Sequence, residues 1–231
     1  MSAARPPEGA RAAAHGAEAS PSRSKKIIDH PTNVPPNAFT QDELQWLPWL
    51  EPLPESELTE RHYAGLVDAS RAKSPYFMLL ARDPDILGAR TRTDKDIFYN
   101  PEAGLPRAQR ELAAATTSRY NGCIYCASVH ARFASHFAPQ RSDDVQRLLD
   151  EGVKNVRFDI DEEDGERWNA IVDASVALSA TPIAFGPEHV ARLRATGLDD
   201  LAISDVIHGA AFFNWANRLM LSLGEPASSP H

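Results

Sequence analysis

Apolar residues in the second half of the chain recur at intervals of three and four, and this spacing constrains the fold more than any other feature of the sequence. One such run covers residues 168–178, and the longest covers residues 199–223. The spacing places apolar side chains on one face of an α-helix. No segment alternates in the two-residue period of a strand over more than four residues. The sequence therefore predicts an all-α fold.

Capping and helix-breaking residues delimit the other predicted elements. Two further helices follow from caps and glycine stops, at residues 142–152 and 187–197. In the first half, a capping-box spacing predicts a short helix within residues 40–50, and a longer helix is expected over residues 56–70. Residues 76–80 and 84–87 are predicted as helical turns, and the polar-then-aromatic residues 90–100 as a loop.

The length of 231 residues suits one domain. Residues 1–38 are dominated by Ala, Pro, Ser, Gly and charge, which predicts a disordered N-terminal tail before a helical domain of residues 39–231. The five residues from Leu66 resemble the five from Ile171. This echo suggests two related halves, about 39–152 and 153–231, although chance explains so short a match as well.

Net charge and cysteine content narrow the functional classes. The chain has 24 basic and 32 acidic residues, a net charge of −8, which argues against nucleic acid as a partner. No apolar run approaches the roughly 20 residues needed to span a bilayer, and no secretory signal is evident, so a soluble cytoplasmic protein is expected. In a reducing compartment, two close cysteines are more often catalytic or metal-binding than a structural disulfide.

The stretch of residues 111–130 contains both cysteines, Cys123 and Cys126, and His130 four residues after the second. Steps of three and four place these three side chains along one stripe of a helix. A helix is predicted before them, over residues 107–120, and Asn121-Gly122 supplies a left-handed break. We therefore expect a helical hairpin with a dithiol at the start of its second arm.

A cysteine in the first helical turn faces unpaired backbone N–H groups, which lower its pKa and favour the reactive thiolate. Two other interpretations stay open from the residues alone. The cysteines could be two small buried hydrophobes. They could also bind zinc together with His130 and Glu111, because C-x2-C is a metal-ligand spacing as well.

The pattern E-x11-C-x2-C-x3-H, beginning at Glu111 and preceded by Gly104-Leu105-Pro106, resembles the alkylhydroperoxidase AhpD and carboxymuconolactone decarboxylase superfamily. The resemblance implies an AhpD-like helical fold. The chain departs from AhpD at one position: AhpD carries a histidine between its two cysteines, where this chain has Tyr125. A proton relay through that histidine therefore cannot be carried over.

The resemblance implies a thiol-dependent peroxidase that reduces hydroperoxides. Cys126 would attack the peroxide, Cys123 would resolve the sulfenic acid, and Glu111 and His130 would transfer protons. No bound cofactor or metal is implied; an external dithiol, such as a lipoyl-bearing protein, would reduce the enzyme. Family members assemble as trimers or hexamers, so a homo-oligomer is expected. We also expect Cys123, nearer the helix start, to lie closer to solvent than Cys126.

Two other functions remain open. A decarboxylase or isomerase of the same superfamily would use His130 and Glu111 on a small cyclic acid, with idle cysteines. A non-catalytic redox sensor would form the disulfide without turnover. The sequence also leaves undecided whether three polar residues of the last predicted helix line the pocket or a subunit contact: Asn214, Asn217 and Arg218.

Overall fold

The computed structural model describes residues 26–160 and 164–229, so the tail prediction for residues 1–25 lies outside the described residues. Over the described residues the fold is helical, with one small ribbon of two strands, and this confirms the all-α class. The helices are α1 (Glu60–Leu66), α2 (Pro75–Leu80), α3 (Pro84–Tyr99), α4 (Arg107–Asn121), α5 (Ile124–Phe137), α6 (Ser142–Glu151), α7 (Gly165–Ser179), α8 (Pro187–Ala195) and α9 (Asp200–Leu223). The strands are β1 (Leu44–Pro48) and β2 (Gly224–Ser228).

Helix α4 lies at the centre, where α5, α7 and α9 pack around it. Eleven of its 15 residues are buried, although many of them are polar. Three consecutive alanines, 113–115, are fully buried and allow the neighbouring helices to approach closely. Because water cannot reach the buried polar side chains of α4, each of them needs a partner within the protein. Two of these side chains, Arg110 and Glu111, prove to have such partners.

The predicted helices of the second half are confirmed. The expected elements at residues 142–152, 168–178, 187–197 and 199–223 correspond to α6, α7, α8 and α9. Within the described residues, no helix combines the length and the apolar character needed to cross a bilayer. The suggested division into two related halves stays a prediction.

Helix α3 occupies residues 84–99, so the loop predicted for residues 90–100 is wrong. Asp83 caps its N-terminus by accepting a hydrogen bond from the Ile86 backbone, and Pro84 occupies the first turn. The buried face of α3 includes Arg90 and Thr91 as well as apolar residues. These polar residues in buried positions hid the helical period.

The helix predicted over residues 56–70 is interrupted. The chain forms a 3₁₀ turn (Glu55–Glu57), then α1, then a second 3₁₀ turn (Ala69–Lys73). Val67 ends α1 with a φ of 65°, and the Asp68 side chain begins the next turn by accepting a hydrogen bond from the Ser70 backbone. This local Asp–Ser hydrogen bond competes successfully with continuation of the helix.

The helix predicted within residues 40–50 is also wrong, because residues 44–48 form strand β1. This strand pairs antiparallel with β2, with Trp46 opposite Pro226. The indole N–H of Trp46 donates to the Met220 carbonyl at 3.3 Å. At Gly224, an added Cβ would lie 2.3 Å from the Leu47 carbonyl oxygen, so the ribbon requires a glycine there.

Residues 26–38 form no helix or strand but contact the ribbon. The Ile28 N–H donates to the Trp49 carbonyl at 2.9 Å, and the Asn33 side chain donates to Glu225 at 2.8 Å. This part of the predicted disordered tail is therefore attached to the helical domain.

Candidate active site

A tight turn between α4 and α5 positions the cysteines. Gly122 ends α4 in the left-handed region at φ 82°, which glycine adopts without steric cost. Cys123 is the N-cap of α5, and its N–H donates to the Ser118 carbonyl at 2.9 Å. The predicted helical hairpin, with the dithiol at the start of the second arm, is confirmed.

Cys123 and Cys126 are joined as a disulfide, with their Cα atoms 5.4 Å apart. Both are buried, with exposed fractions of 2% and 4%. The expectation that Cys123 lies closer to solvent is therefore wrong. The cause is the ribbon, since Trp46 belongs to the same buried cluster as the two cysteines and covers the start of α5.

Glu111 connects two cationic or potentially cationic side chains beneath the disulfide. Its carboxylate is fully buried. One oxygen accepts from the Arg107 guanidinium at 2.6 Å, and the other accepts from Nδ1–H of His130 at 2.5 Å. Since Nδ1 is engaged by Glu111, Nε2 is the nitrogen of His130 that remains for acid–base chemistry.

Two aromatic rings fix the His130 imidazole. Phe98 stacks on it with ring centroids 5.1 Å apart, and Phe213 meets it edge-on at 4.1 Å. The Arg107 guanidinium in turn lies over Tyr99 at 4.3 Å and also donates to the Phe98 carbonyl. The acid–base group is thus held in one orientation before any substrate binds, as efficient catalysis requires.

The disulfide lies between two cavities. The Cys126 cavity, of about 260 Å³, is lined by Cys126 and His130 together with Glu111. The Cys123 cavity, of about 220 Å³, is lined by Cys123 and by residues of the ribbon and of segment 35–36. Tyr125 lines both. Each sulfur therefore has its own approach.

Tyr125 takes the place of the AhpD histidine between the cysteines. Burial raises the pKa of its phenol. Burial likewise raises the pKa of Tyr76, another residue of the Cys126 cavity, although Arg90 partly offsets the shift. Both phenols keep their proton at neutral pH and can donate hydrogen bonds, but neither can serve as a base there.

The structure brings together the four residues that the sequence singled out, with Cys126, His130 and Glu111 in one cavity and Cys123 in the other. Sequence reasoning missed the remaining charged residues of the Cys126 cavity, which are Arg71, Arg90, Asp94 and Arg107. Only Arg107 left a detectable signal, its (i, i+4) spacing from Glu111. The others come from α3 and from the 3₁₀ turn before α2.

The three undecided polar residues of α9 do not line the Cys126 cavity. The Asn121 side chain donates to both Asn214, at 3.0 Å, and Asn217, at 3.1 Å. Asn217 also donates to the Ser118 hydroxyl at 3.0 Å. These amides attach the end of α4 to α9 within the chain, whereas Arg218 is exposed. Across residues 26–160 and 164–229, no group of three or more His, Cys, Asp or Glu residues is arranged to hold a metal ion.

Comparison with solved structures places the fold in a class of AhpD-like helical proteins. A peroxidase-related protein from Ralstonia eutropha JMP134, described as an alkylhydroperoxidase AhpD core, matches with a TM-score of 0.60 and 20% identity over 79% of this chain and 90% of that chain. A peroxidase-related protein from Silicibacter sp. TM1040 gives 0.56 and 20% over 84% and 95%. The debrominase Bmp8 gives 0.58 and 18% over 74% and 88%.

The family follows from the sequence itself. Residues 84–149, from the start of α3 into α6, match the Carboxymuconolactone decarboxylase family. Together with the shared fold, this match confirms membership of the AhpD and carboxymuconolactone decarboxylase superfamily. No curated protein gives a significant match.

Proposed function

We propose that the protein is a thiol-dependent peroxidase that reduces hydroperoxides through a dithiol–disulfide cycle. The observation that supports this most strongly is the placement of the Cys123–Cys126 pair against the buried Glu111–His130 pair at one cavity. A nucleophile one helical turn from an oriented base is the arrangement that activated-nucleophile chemistry requires.

The cycle has three balanced steps. The Cys126 thiolate attacks the hydroperoxide, giving a Cys126 sulfenic acid and an alkoxide that takes a proton from His130 to leave as the alcohol. The Cys123 thiolate then attacks the sulfenic sulfur, which forms the disulfide and releases water once the hydroxide is protonated. An external dithiol reduces the disulfide by thiol–disulfide exchange and is itself oxidised to a disulfide. A lipoyl-bearing protein would be such a donor.

Glu111 orients His130 and stabilises its protonated form during the cycle. Its carboxylate already accepts from Nδ1–H, so the proton exchanged with substrate is the one on Nε2. Arg107 binds the other carboxylate oxygen and keeps Glu111 ionised. In this role Glu111 is a positioning residue, because it acts through His130.

The test is steady-state turnover of the full chain with a small alkyl hydroperoxide and dihydrolipoamide. The natural chain should oxidise the dithiol in step with peroxide, and Cys126→Ser should abolish the reaction. Cys123→Ser should consume about one equivalent of peroxide and stop as a sulfenic acid that dimedone traps on Cys126. Trapping on Cys123 in the Cys126→Ser protein would reverse the two roles.

The same experiment separates the other functions. Disulfide formation without sustained turnover would indicate a redox sensor. Full turnover in both cysteine variants would show that the cysteines are bystanders and would favour a decarboxylase-type reaction at His130. Because the structural neighbour Bmp8 is a debrominase solved with 2,3,4-tribromopyrrole, bromide release from that compound is a useful comparison substrate. Bromide release without peroxide turnover would replace the peroxidase proposal.

A further inference from the structure

One group of charged side chains in the Cys126 cavity is not used by the peroxidase cycle. This arginine cluster consists of Arg71, Arg90 and Asp94. Only 7% of the Arg90 side chain is exposed, and its Nε and Nη1 have no hydrogen-bond partner. Nη1 of Arg71 has none either. Buried guanidinium groups are ordinarily fully hydrogen-bonded, so these unused donors call for a ligand.

Asp94 does not satisfy the two arginines. Its Oδ2 lies 3.6 Å from Arg90 Nη1 and 3.8 Å from Arg71 Nη2, which are ion-pair distances longer than a hydrogen bond. A single carboxylate between two guanidinium groups leaves the cluster with one excess positive charge. Elsewhere in the cavity Arg107 and Glu111 neutralise each other. The excess charge of the arginine cluster is therefore the net charge of the cavity apart from His130.

Aromatic rings determine which part of Arg90 a ligand can reach. The guanidinium carbon lies 5.3 Å from the ring centroids of both Phe77 and Phe212, and 5.7 Å from that of Tyr76. Rings packed around a guanidinium occupy its faces and leave the N–H groups at its edge. The edge of a guanidinium matches a carboxylate, which it binds through two parallel hydrogen bonds.

We propose that the arginine cluster is a carboxylate-binding subsite and that the substrates are small hydroperoxides carrying a carboxylate. This rests on the proposed peroxidase function. The carboxylate binds Arg90 and Arg71 at one end of the cavity, and the peroxide group faces Cys126 and His130 at the other. One excess positive charge suits a monoanion better than a dianionic phosphate. The cavity volume of about 260 Å³ restricts the substrate to a small molecule.

Binding is tested first, without peroxide chemistry. Calorimetric titration of the oxidised full chain with benzoate and hexanoate should show binding that benzamide and hexanamide lack. Arg90→Gln should weaken benzoate binding at least about tenfold, since a hydrogen bond to a charged group is lost. Arg92→Gln is the matched control, because Arg92 lies on the same helix with an exposed side chain and does not line the cavity. Equal binding of acid and amide would overturn the subsite.

Turnover is tested next, with a carboxylate-bearing alkyl hydroperoxide and its methyl ester. The natural chain and Arg92→Gln should prefer the acid in kcat/KM, and Arg90→Gln should lose that preference. If Arg90→Gln does not fold by circular dichroism, Arg71→Gln makes the same comparison from the edge of the cluster. Equal kcat/KM for acid and ester in the natural chain would contradict the proposal. Carboxylate binding that depends on Arg90, with no hydroperoxide turned over, would support the subsite and overturn the peroxidase.

Discussion

Glu111 occupies a position where a buried carboxylate is surrounded by its partners. It accepts from Arg107 on one oxygen and from His130 on the other, and its side chain is only 1% exposed. A buried charge without such partners would cost several kcal/mol. The chain bears this desolvation because the carboxylate is held where it can act on His130. The residue is thus fixed by electrostatics rather than by apolar packing.

Replacement of Glu111 by Gln should slow sulfenic acid formation by about 10² to 10⁴, the effect of losing a positioned acid–base group. The amide preserves the shape of the side chain but cannot accept from Arg107 and His130 at once. Single-turnover stopped-flow fluorescence of the reduced protein with peroxide measures this rate. Glu102→Gln, at an exposed acid just before α4, is the control and should leave the rate unchanged.

A double variant sharpens that experiment. Because Glu111 acts through His130, Glu111→Gln combined with His130→Ala should be about as slow as His130→Ala alone. Independent, multiplying losses would show that Glu111 has a different role. A large fall in melting temperature with little change in rate would show that the carboxylate is structural only.

At the residue scale, spacing along the chain predicted those site residues that lie within one hairpin. Glu111, Cys123, Cys126 and His130 are separated by turns of two adjacent helices, so a linear pattern reports their contact. Arg90 comes from another helix and meets Cys126 only through tertiary packing. No local rule relates these two positions, and the polar character of Arg90 pointed to solvent.

At the element scale, the contact between α4 and α9 depends on small residues. Gly209 of α9 faces Ala113 of α4, and an added Cβ would lie 3.7 Å from the Ala113 Cβ, an ordinary contact distance. Gly104, just before α4, is different, since its added Cβ would lie 2.5 Å from the Ala202 backbone nitrogen. One glycine has room for a methyl group and the other has none.

Gly209→Ala should stabilise the protein and Gly104→Ala should destabilise it. In the interior of a helix, alanine is favoured over glycine by up to about 1 kcal/mol, which corresponds to about 2–4 °C in melting temperature for a chain of this size. At Gly104 the backbone of α9 must shift to admit the methyl group, so the melting temperature should fall. Differential scanning calorimetry measures both, and a loss of stability in Gly209→Ala would contradict the packing described here.

Helices of the second half were predictable because their buried faces are apolar and their ends carry recognisable caps. Helix α3 was not, because Arg90 and Thr91 occupy buried positions that an amphipathic pattern assigns to apolar residues. Strand β1 failed for another reason: its partner β2 lies at the opposite end of the chain, where Gly224 and Pro226 show no strand pattern. Pairing over such a separation is decided by tertiary structure.

At the scale of the whole molecule, the ribbon joins the two ends of the described chain beside the cysteines. Strand β1 places Trp46 against Tyr76, with ring centroids 5.4 Å apart and an edge-on geometry, and β2 continues directly from α9. The ribbon therefore forms a wall between the two cavities. Homo-oligomer formation stays a prediction from the family resemblance.

The disulfide placed between two cavities separates the oxidant from the reductant in space. An enzyme that alternates between two substrates at one shared opening is inhibited when either substrate is in excess, because each blocks the other. Here we expect parallel double-reciprocal plots for peroxide and dihydrolipoamide without mutual substrate inhibition. Ile124→Trp, in the Cys123 cavity, should raise the KM for the dithiol alone, and Val129→Trp, in the Cys126 cavity, the KM for peroxide alone. An excess of peroxide would then leave re-reduction unobstructed, and the rate would be sustained during an oxidative burst.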